Sequence, residues 1–507
     1  MSLNSRSSPI HNLNVDVLLY VIALNANMFS DPHALRTTRA ASQVCRDWRV
    51  LMLETPSLWA RLMDFNVLSS RNCEWLDELL RRSATAPLWI RMEHRQTERF
   101  TDPPVRILKS LIAVSQEHWT RIEKLVVSLR IDPMFDATHW KVLHLPAPEL
   151  DTFIVKYEFS IPIEHPGIAL ITTLFSGYAP KLRKFSLANY SIRNHASWLC
   201  NLRTVHFSSA YSVHLALVVL SSTRHLQELK INDLSDERTS IPLPVVSLPY
   251  LKYLHYVGQP AIGATLLEHV EIPLDCSLFI SAPFLCIPED TQEEVLVAIT
   301  NTYVRYVRRY LQSHPPKGIY LKYEPNCDID FKVVAAFPDD CPLSILFPVC
   351  YWSTSNPVTT IFNQLALPEL SGVAELRLYT SGPFDLLLGV FFRCLTSVKA
   401  IWTNQETLGF LTQLQNCIDA THDQDIIFPL LGVINLDNSS FINYMDARIA
   451  EFILSRMPRG HPIATLCLLN PISEVNLENL AEAKGLRVVH TSPEVIGELE
   501  YTCRTVE

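Results

Sequence analysis

One short pattern of apolar residues returns along most of this chain. An apolar residue is followed three positions later by a second and five positions later by a third. Units of this form begin at Ile122, Leu150, Leu182, Leu202, Leu226, Leu251, Val373, Leu395, Leu431 and Ile463. Alternation at the last two positions is the periodicity of a strand with one buried face. The pattern therefore predicts one strand per unit, with a helix or a short helical turn between strands.

The distance between successive units indicates the fold class. Within each run the units begin 20 to 36 residues apart, and this period and consensus resemble leucine-rich repeats. The resemblance implies an irregular α/β solenoid over residues 121–500. The asparagine of that family is missing; Asn189 and Asn232 lie near two units but out of register, so we expect no regular ladder of buried asparagines. An unrelated α/β domain with scattered strands is the alternative.

The pattern lapses at about residues 260–370, which we interpret as an irregular insert. A long helix is predicted over 290–313, because Asp290 and Glu293 form a capping box and apolar residues follow at helical spacing. Three arginines near its end are interpreted as a solvated face: Arg305, Arg308 and Arg309. Further strands are predicted over 319–323, 331–335 and 344–349.

Residues 9–62 predict three short helices. The first carries apolar residues at helical spacing, namely Leu13, Val17, Leu18, Val21 and Ile22. Asn14 or Asp16 could cap this helix. The second carries Leu35, Ala41, Val44, Cys45 and Trp48, and the third begins after Pro56 with Leu58 and Trp59. A unit this small buries little apolar surface, so we expect it to pack against a neighbour.

The order of these residues resembles the F-box. The resemblance is carried by Leu13, Asp16, Val17, Leu18, Ile22, Val44, Cys45, Trp48, Pro56, Leu58 and Trp59. F-box helices bind the small adaptor subunit of SCF-type cullin–RING ubiquitin ligases, so the resemblance implies that these eleven residues bind that adaptor. One departure is Asn14, where the family usually has proline. The match covers residues 9–62, after a flexible N-terminus at 1–8 and before a helical linker or cap at 63–120.

Two kinds of role are expected among the eleven residues. Docking a small helical unit onto another protein needs an exposed apolar patch, anchored best by large side chains. We expect such contact from Leu13, Val17, Leu18 and Trp59. Three others are interpreted as core residues of the helices: Ile22, Val44 and Cys45.

Composition and the absence of known motifs bear on other function classes. The net charge is −9 and the isoelectric point is about 6.0, which argues against a nucleic-acid partner. The most apolar stretch, 384–395, is too short to span a bilayer as a helix. The 12 cysteines form no CxxC pair. We interpret them as small buried residues in a reducing compartment, cytoplasmic or nuclear.

We find no phosphate-binding loop, nucleophile elbow or zinc signature in the sequence. We therefore predict no catalytic, cofactor-binding or metal-binding residue, and no enzyme activity. The resemblances together imply a substrate-recognition subunit that binds the ligase adaptor through the F-box and an unknown target protein through the repeats. Two alternatives stay open. The N-terminal helices could merely cap the array of a scaffold protein, or the 260–370 insert could hold an unrecognised active site.

Overall fold

The computed structural model describes residues 13–68, 73–93, 105–129, 137–157, 174–187, 196–235, 241–281, 293–323, 329–334, 343–347, 357–380, 388–420, 426–437, 447–469, 480, 482–491 and 499–502. The flexible N-terminus predicted at 1–8 lies outside these residues, as do the cap Asp290 and Asn189. The chain divides into two compact units, Met1–Tyr250 and Leu251–Glu507.

Fourteen α-helices lie in the described part of the chain. They are α1 (Val15–Asn25), α2 (Ala34–Ala41), α3 (Arg46–Leu53), α4 (Pro56–Ala60), α5 (Phe65–Leu68), α6 (Cys73–Ser83), α7 (Val105–Glu117), α8 (Val213–Ser221), α9 (Pro260–Glu268), α10 (Glu293–Ser313), α11 (Pro357–Leu365), α12 (Gly389–Arg393), α13 (Gln405–Ala420) and α14 (Ala447–Arg456). Short 3₁₀ turns supplement them, for example Leu174–Gly177 and Ser197–Asn201.

Strands alternate with these helices along the chain. They are β1 (Met63–Asp64), β2 (Leu88–Glu93), β3 (Ile122–Leu129), β4 (Thr152–Tyr157), β5 (Lys184–Leu187), β6 (Thr204–Phe207), β7 (Glu228–Asn232), β8 (Val246–Ser247), β9 (Tyr253–Val257), β10 (Val270–Glu271), β11 (Ser277–Ser281), β12 (Gly318–Tyr323), β13 (Ile329–Val334), β14 (Leu343–Phe347), β15 (Glu375–Thr380), β16 (Ala400–Thr403), β17 (Val433–Asp437), β18 (Thr465–Leu469), β19 (Arg487–Thr491) and β20 (Leu499–Thr502). The chain is therefore a mixed α/β protein, as predicted.

In the first unit, β1 to β7 pair in chain order, each parallel to the strand before it. One face of this sheet carries the buried side chains of the repeated units, such as Phe153 and Phe185. An aromatic layer packs below that face, where the ring of Phe175 lies 5.4 Å from Phe153 and 5.5 Å from Trp198. Parallel strands joined by helical turns explain why successive units can share one continuous core.

In the second unit, the strands pair in the order β9-β11-β14-β13-β12-β15-β16-β17-β18-β19-β20. Strand β13 runs antiparallel to both of its neighbours, β20 runs antiparallel to β19, and the remaining pairs are parallel. The 260–370 segment thus continues this sheet. The predicted strands at 319–323, 331–335 and 344–349 correspond to β12, β13 and β14.

All ten repeated units lead into parallel strands, which confirms the prediction of one strand per unit. The unit predicted at Leu395 is out of register by three residues. Its strand β16 buries Ile401 rather than Ala400, and Ile401 pairs with Leu376 and Ile434, the matching positions of the neighbouring strands. The linker predicted as helical at 63–120 also contains strands β1 and β2.

Threonines connect β15 to its neighbours β16 and α13 in the second unit, in a region where the sequence predicted no asparagine ladder. The Thr403 hydroxyl donates to the carbonyl of Leu378, at 2.8 Å. The amide of Thr380 donates to the hydroxyl of Thr407, at 2.9 Å. Because buried backbone groups need hydrogen-bond partners, these buried threonines stabilise the carboxyl ends of β15 and β16.

Helix α10 corresponds to the helix predicted over 290–313 and covers part of the core of the second unit. Its buried stripe includes Val304, Val307 and Leu311. The hydroxyl of Tyr303 donates to the carbonyl of Pro260 at 2.9 Å and fixes α10 against α9. The three arginines Arg305, Arg308 and Arg309 are exposed, in agreement with the solvated face predicted for them.

Helix α6 ends at a non-glycine residue in the left-handed region. Ala84 follows its last residue and has φ 42°, a position where glycine is the usual residue. Replacing Ala84 with glycine should raise the free energy of unfolding by about 0.5–1 kcal/mol, because glycine removes the left-handed penalty. The same change at the exposed Ala40 inside α2 should lower it by about 0.5–1 kcal/mol. Chemical denaturation of the two variants checks this; equal effects at both sites would contradict it.

Candidate functional site

The N-terminal segment contains four short helices rather than the three predicted, because the second predicted helix is interrupted. Helix α2 ends at Ala41, and the extended Cys45 (φ −152°, ψ 172°) begins α3. The Cys45 sulfur accepts a hydrogen bond from the amide of Trp48, at 3.4 Å. At the start of α1, the side chain of Asn14 accepts from the amide of Asp16, at 2.8 Å. Asn14, where the F-box family usually has proline, is therefore the cap of α1.

Helix α1 is apolar on two opposite faces. Its inner face carries Leu18 and Ile22, which are 8% and 3% exposed. We call the opposite side the outer stripe, defined by Leu13, Val17, Tyr20, Val21 and Leu24. These five side chains are 45–66% exposed. Val17, Tyr20, Val21 and Leu24 are spaced by three, one and three residues and therefore share one face of α1, and Leu13 lies just before the cap Asn14.

Exposed apolar residues are concentrated in this part of the chain. Nineteen large apolar side chains among the described residues are exposed, and ten of them lie between residues 13 and 67. A second group contains Val44, Val50 and Leu53, at 63%, 45% and 41% exposure. Single exposed apolar residues are ordinary on a protein surface, whereas a contiguous group of them marks an interaction site.

Trp59 lies in the interior, which corrects the expectation that it contacts a partner. Its side chain is fully buried, and its indole nitrogen donates to the carbonyl of Met52 at 2.8 Å. The guanidinium of Arg82 lies 4.3 Å from the centre of its ring. Leu58 is also buried, at 2% exposure. These residues form the core that supports α3 and α4.

A half-buried carboxylate, Glu78, holds the arginine that covers Trp59. Glu78 accepts hydrogen bonds from Arg81 and from Arg82, with distances of 2.7 and 2.6 Å to their Nε atoms. The hydrogen bond from Arg81 and the contacts with Arg82 lower the pKa of Glu78 to about 2, against a smaller opposing effect of burial. Glu78 is therefore ionised at neutral pH and orients the Arg82 side chain.

The eleven residues of the F-box match separate into three groups in the structure. Four are exposed, namely Leu13, Asp16, Val17 and Val44; four are buried, namely Leu18, Ile22, Leu58 and Trp59; and three are half-buried, namely Cys45, Trp48 and Pro56. Val44 is thus exposed where a core position was expected, and Leu18 is buried where an exposed contact residue was expected. Tyr20 and Leu24 were missed, although their positions three and seven residues after Val17 give the same helical face.

The N-terminal helices are attached to the first sheet by contacts that leave the outer stripe exposed. Strand β1 pairs with β2 through Met63 and Asp64. The buried carboxylate of Asp64 accepts a hydrogen bond from the guanidinium of Arg91. The ring of Phe29 lies 5.8 Å from that of Trp89. The segment is thus not an independent small domain, which agrees with the expectation that it packs against a neighbour.

No group of three or more histidine, cysteine, aspartate or glutamate side chains among the described residues could hold a metal ion. A small depression lies in the 260–370 segment, and neither a carboxylate nor a histidine lines it. It therefore gives the enzyme alternative no residue to test. Within the described helices, none has both the length and the apolar character required to cross a bilayer.

Six cysteines in the described part of the chain differ in burial from the uniformly buried residues predicted. Cys276 is buried, Cys200 is exposed, and Cys45, Cys394, Cys417 and Cys467 are half-buried. Burial raises the pKa of Cys276 to about 12, with a further contribution from Asp275. A thiol with this pKa is protonated at neutral pH and is a poor nucleophile.

The sequence was also compared with known proteins. No protein-family model matches it, and no curated protein matches it at a significant level.

Proposed function

We propose that this protein is the substrate-recognition subunit of an SCF-type cullin–RING ubiquitin ligase. In this proposal the helices of residues 9–62 act as an F-box and bind the ligase adaptor. The strands and helices after residue 120 form an irregular leucine-rich-repeat-like solenoid that holds a target protein. The observation that carries the proposal is the outer stripe of α1, an exposed apolar face on a helix whose opposite face already serves the core.

The outer stripe argues for a partner because its exposure is costly in water. Burial of a valine or leucine side chain is favourable by about 1.5–3 kcal/mol, so a partner that covers these five exposed apolar side chains would gain a large binding free energy. Large apolar anchors such as Tyr20 and Leu24 suit a helix-binding interface. A partner that covers this face would also cover Leu13 and Val17, two residues of the F-box match.

No bond chemistry by this chain is needed in the proposed mechanism. The adaptor would connect the N-terminal helices to the ligase, and the remainder of the chain would bind the target. Target lysines would then be held close to the ubiquitin carrier, so that transfer becomes effectively intramolecular. The gain in rate comes from effective concentration, which reaches the millimolar range for short connections.

The proposal predicts that charged residues in the outer stripe prevent adaptor binding. Val17→Asp with Leu24→Asp should lower the affinity for the purified adaptor at least tenfold, because each carboxylate would be buried without a partner in the complex. Both positions face solvent, so the melting temperature should stay within about 2 °C of wild type. Isothermal titration calorimetry and thermal unfolding measure the two effects.

A matched control is available elsewhere on the surface. Val245 and Leu430 are 66% and 56% exposed, and the pair Val245→Asp with Leu430→Asp makes the same chemical change outside the N-terminal helices. This control should bind the adaptor like wild type. If wild-type protein fails to bind the adaptor, or if the stripe variant binds as tightly as the control, the ligase proposal is wrong.

A scaffold protein with an N-terminal cap is the second candidate. A capping element must be fixed to the first strands of the array. The pairing of β1 with β2 and the hydrogen bond from Arg91 to Asp64 provide this attachment and favour the second candidate. A cap needs one apolar face, whereas α1 has two. If the outer stripe instead pairs two copies of the chain, light scattering will give a dimer that Val17→Asp with Leu24→Asp converts to a monomer.

A further inference from the structure

Lysine is missing from residues 1–108, although this part of the chain is rich in cations. It contains 13 arginines and no lysine. Residues 109–507 contain 17 arginines and 13 lysines, of which the first is Lys109. The two side chains carry the same charge, so charge alone does not explain a segment that uses only one of them. The lysine-free segment includes the helices that are proposed to bind the ligase adaptor.

Ring stacking explains three of these arginines. The guanidinium of Arg39 lies 3.9 Å from the centre of the Trp75 ring, and that of Arg61 lies 4.7 Å from the centre of the Trp89 ring. Arg82 covers a third tryptophan, as described above. A planar guanidinium stacks on an aromatic face in a way that an ammonium group does not reproduce. The absence of lysine from these three sites therefore has a structural reason.

Two exposed arginines have no such role. Arg36 lies on α2 and Arg46 begins α3, and both are exposed. Neither makes a hydrogen bond, an ion pair or a ring contact with the residues that the structure describes. Lysine and arginine have nearly equal helix propensities, so lysine would fit both positions. The use of arginine at these two sites points to a chemical difference between the side chains.

That difference is nucleophilicity. A lysine ammonium can lose a proton and become an amine, whereas a guanidinium stays protonated in proteins. In ubiquitin transfer, a lysine amine attacks the carbonyl carbon of the thioester that joins ubiquitin to its carrier. The C–N bond of an isopeptide forms, the C–S bond breaks, the carrier leaves as a thiolate, and a proton of the amine passes to solvent. Arginine cannot accept ubiquitin in this way.

The proposed function places the N-terminal helices where this reaction would compete with the target. A target leaves after its modification, whereas the recognition subunit stays bound through these helices and shares one complex with the carrier. A lysine on them would be an intramolecular acceptor, and effective concentrations in such complexes reach about the millimolar range. A ubiquitin attached beside the outer stripe would also obstruct the next binding of the adaptor.

We propose that the lack of lysine in residues 1–108 prevents the ligase-bound end of the chain from accepting ubiquitin from the carrier of its own complex. Self-modification on lysine is thereby restricted to residues 109–507, where the first exposed acceptor is Lys109 on α7. The inference rests on the proposed function, because a ligase subunit is the kind of protein that meets a ubiquitin thioester in its own complex.

Arg36→Lys with Arg46→Lys tests this inference in the full-length chain. The assay contains purified adaptor, cullin, RING subunit and ubiquitin-charged carrier, without any target, and mass spectrometry of tryptic peptides locates the isopeptides. We expect ubiquitin at one or both substituted positions, with total self-modification about threefold or more above wild type. Both changes conserve charge at exposed sites, so the melting temperature should stay within about 2 °C of wild type and adaptor affinity should be unchanged.

A matched control adds two lysines to a part of the chain that already contains them. Arg203 and Arg224 are exposed in the first unit, between Lys184 and Lys230 in the sequence. Arg203→Lys with Arg224→Lys makes the same chemical change as the test variant. Its total self-modification should stay close to that of wild type, because it adds two acceptors to the 13 already present.

Three results would overturn the inference. The first is an adaptor-bound test variant that carries no ubiquitin at position 36 or 46. The second is an equal rise of self-modification in the control. The third is weaker adaptor binding by the test variant, which would make the two arginines contacts of the adaptor interface. If wild-type protein does not bind the adaptor, the proposed function fails as well; if it binds and one of the three results is obtained, only this inference fails.

Discussion

Replacing Trp59 with alanine should lower the free energy of unfolding of the N-terminal helices by about 3–5 kcal/mol. The indole is fully buried, and its loss leaves a large cavity between α3, α4 and α6. It also removes the hydrogen bond to the carbonyl of Met52 and the ring beneath Arg82. Hydrogen exchange of peptides covering residues 15–60, together with chemical denaturation, measures the loss.

Trp48 supplies the matched control for this substitution. It lies on α3 and is half-buried, so Trp48→Ala should cost about 1–2 kcal/mol, because less apolar area leaves the core. Equal losses for the two variants, or unchanged exchange in Trp59→Ala, would contradict the assignment of Trp59 to the core. The result bears on function as well. Loss of adaptor binding in Trp59→Ala would report unfolding, whereas loss in the outer-stripe variant reports a lost contact.

The repeated apolar pattern predicted the strands well because the alternation of a half-buried strand involves only residues that are close in sequence. Leu376 and Leu378 illustrate this, since both are buried and their spacing alone indicates a strand. At β16 the same reasoning was out of register, because Leu395, Val398 and Ile401 are all buried and apolar residues there satisfy the pattern in more than one frame. The register of β16 is set by its pairing with β15 and β17. These partners are distant in sequence, so the local pattern does not reveal the pairing.

The faces of α1 show why the candidate site could be predicted only in part. The helical spacing of Leu13, Val17 and Val21 was visible in the sequence. Which apolar residues point inward depends on the neighbouring helices, so Leu18 and Trp59 could not be distinguished from surface anchors. Strands β1 and β2 were missed for the same reason. Met63 and Asp64 carry little strand signal of their own and pair only because β2 lies beside them.

A buried arginine organises the entry into β17 in the second unit. The side chain of Arg456, at the end of α14, is only 3% exposed. Its guanidinium donates to the carbonyls of Ile427 and Phe428, at 2.9 and 2.8 Å, and to that of His461, at 3.2 Å. Desolvation, with repulsion from Arg459, lowers its pKa to about 10. It is therefore still charged at neutral pH, and its hydrogen bonds compensate the cost of burial.

The segment that Arg456 holds has a backbone conformation that needs support. Phe428 has φ 52°, in the left-handed region, which costs a bulky residue about 1–2 kcal/mol. From the other side, the Gln415 side chain of α13 accepts a hydrogen bond from the amide of Ile427, at 2.9 Å. Helices α13 and α14 thus fix this turn together, and β17 starts a few residues later at Val433.

Replacing Arg456 with leucine should therefore lower the free energy of unfolding by about 2–4 kcal/mol. The carbonyls of Ile427, Phe428 and His461 would lose the hydrogen bonds from Arg456, at a cost of about 1–3 kcal/mol each, offset in part because a buried charge is removed. Arg456→Lys keeps the charge but cannot donate to all three carbonyls with the guanidinium geometry, so its stability should lie between that of Arg456→Leu and wild type. Arg308→Leu, at an exposed site on α10, should change stability by less than about 0.5 kcal/mol. Thermal unfolding measures the order of stability among these variants. Hydrogen exchange at residues 426–437 should be faster in Arg456→Leu than in wild type. If Arg456→Leu is as stable as Arg308→Leu, the turn forms without the arginine.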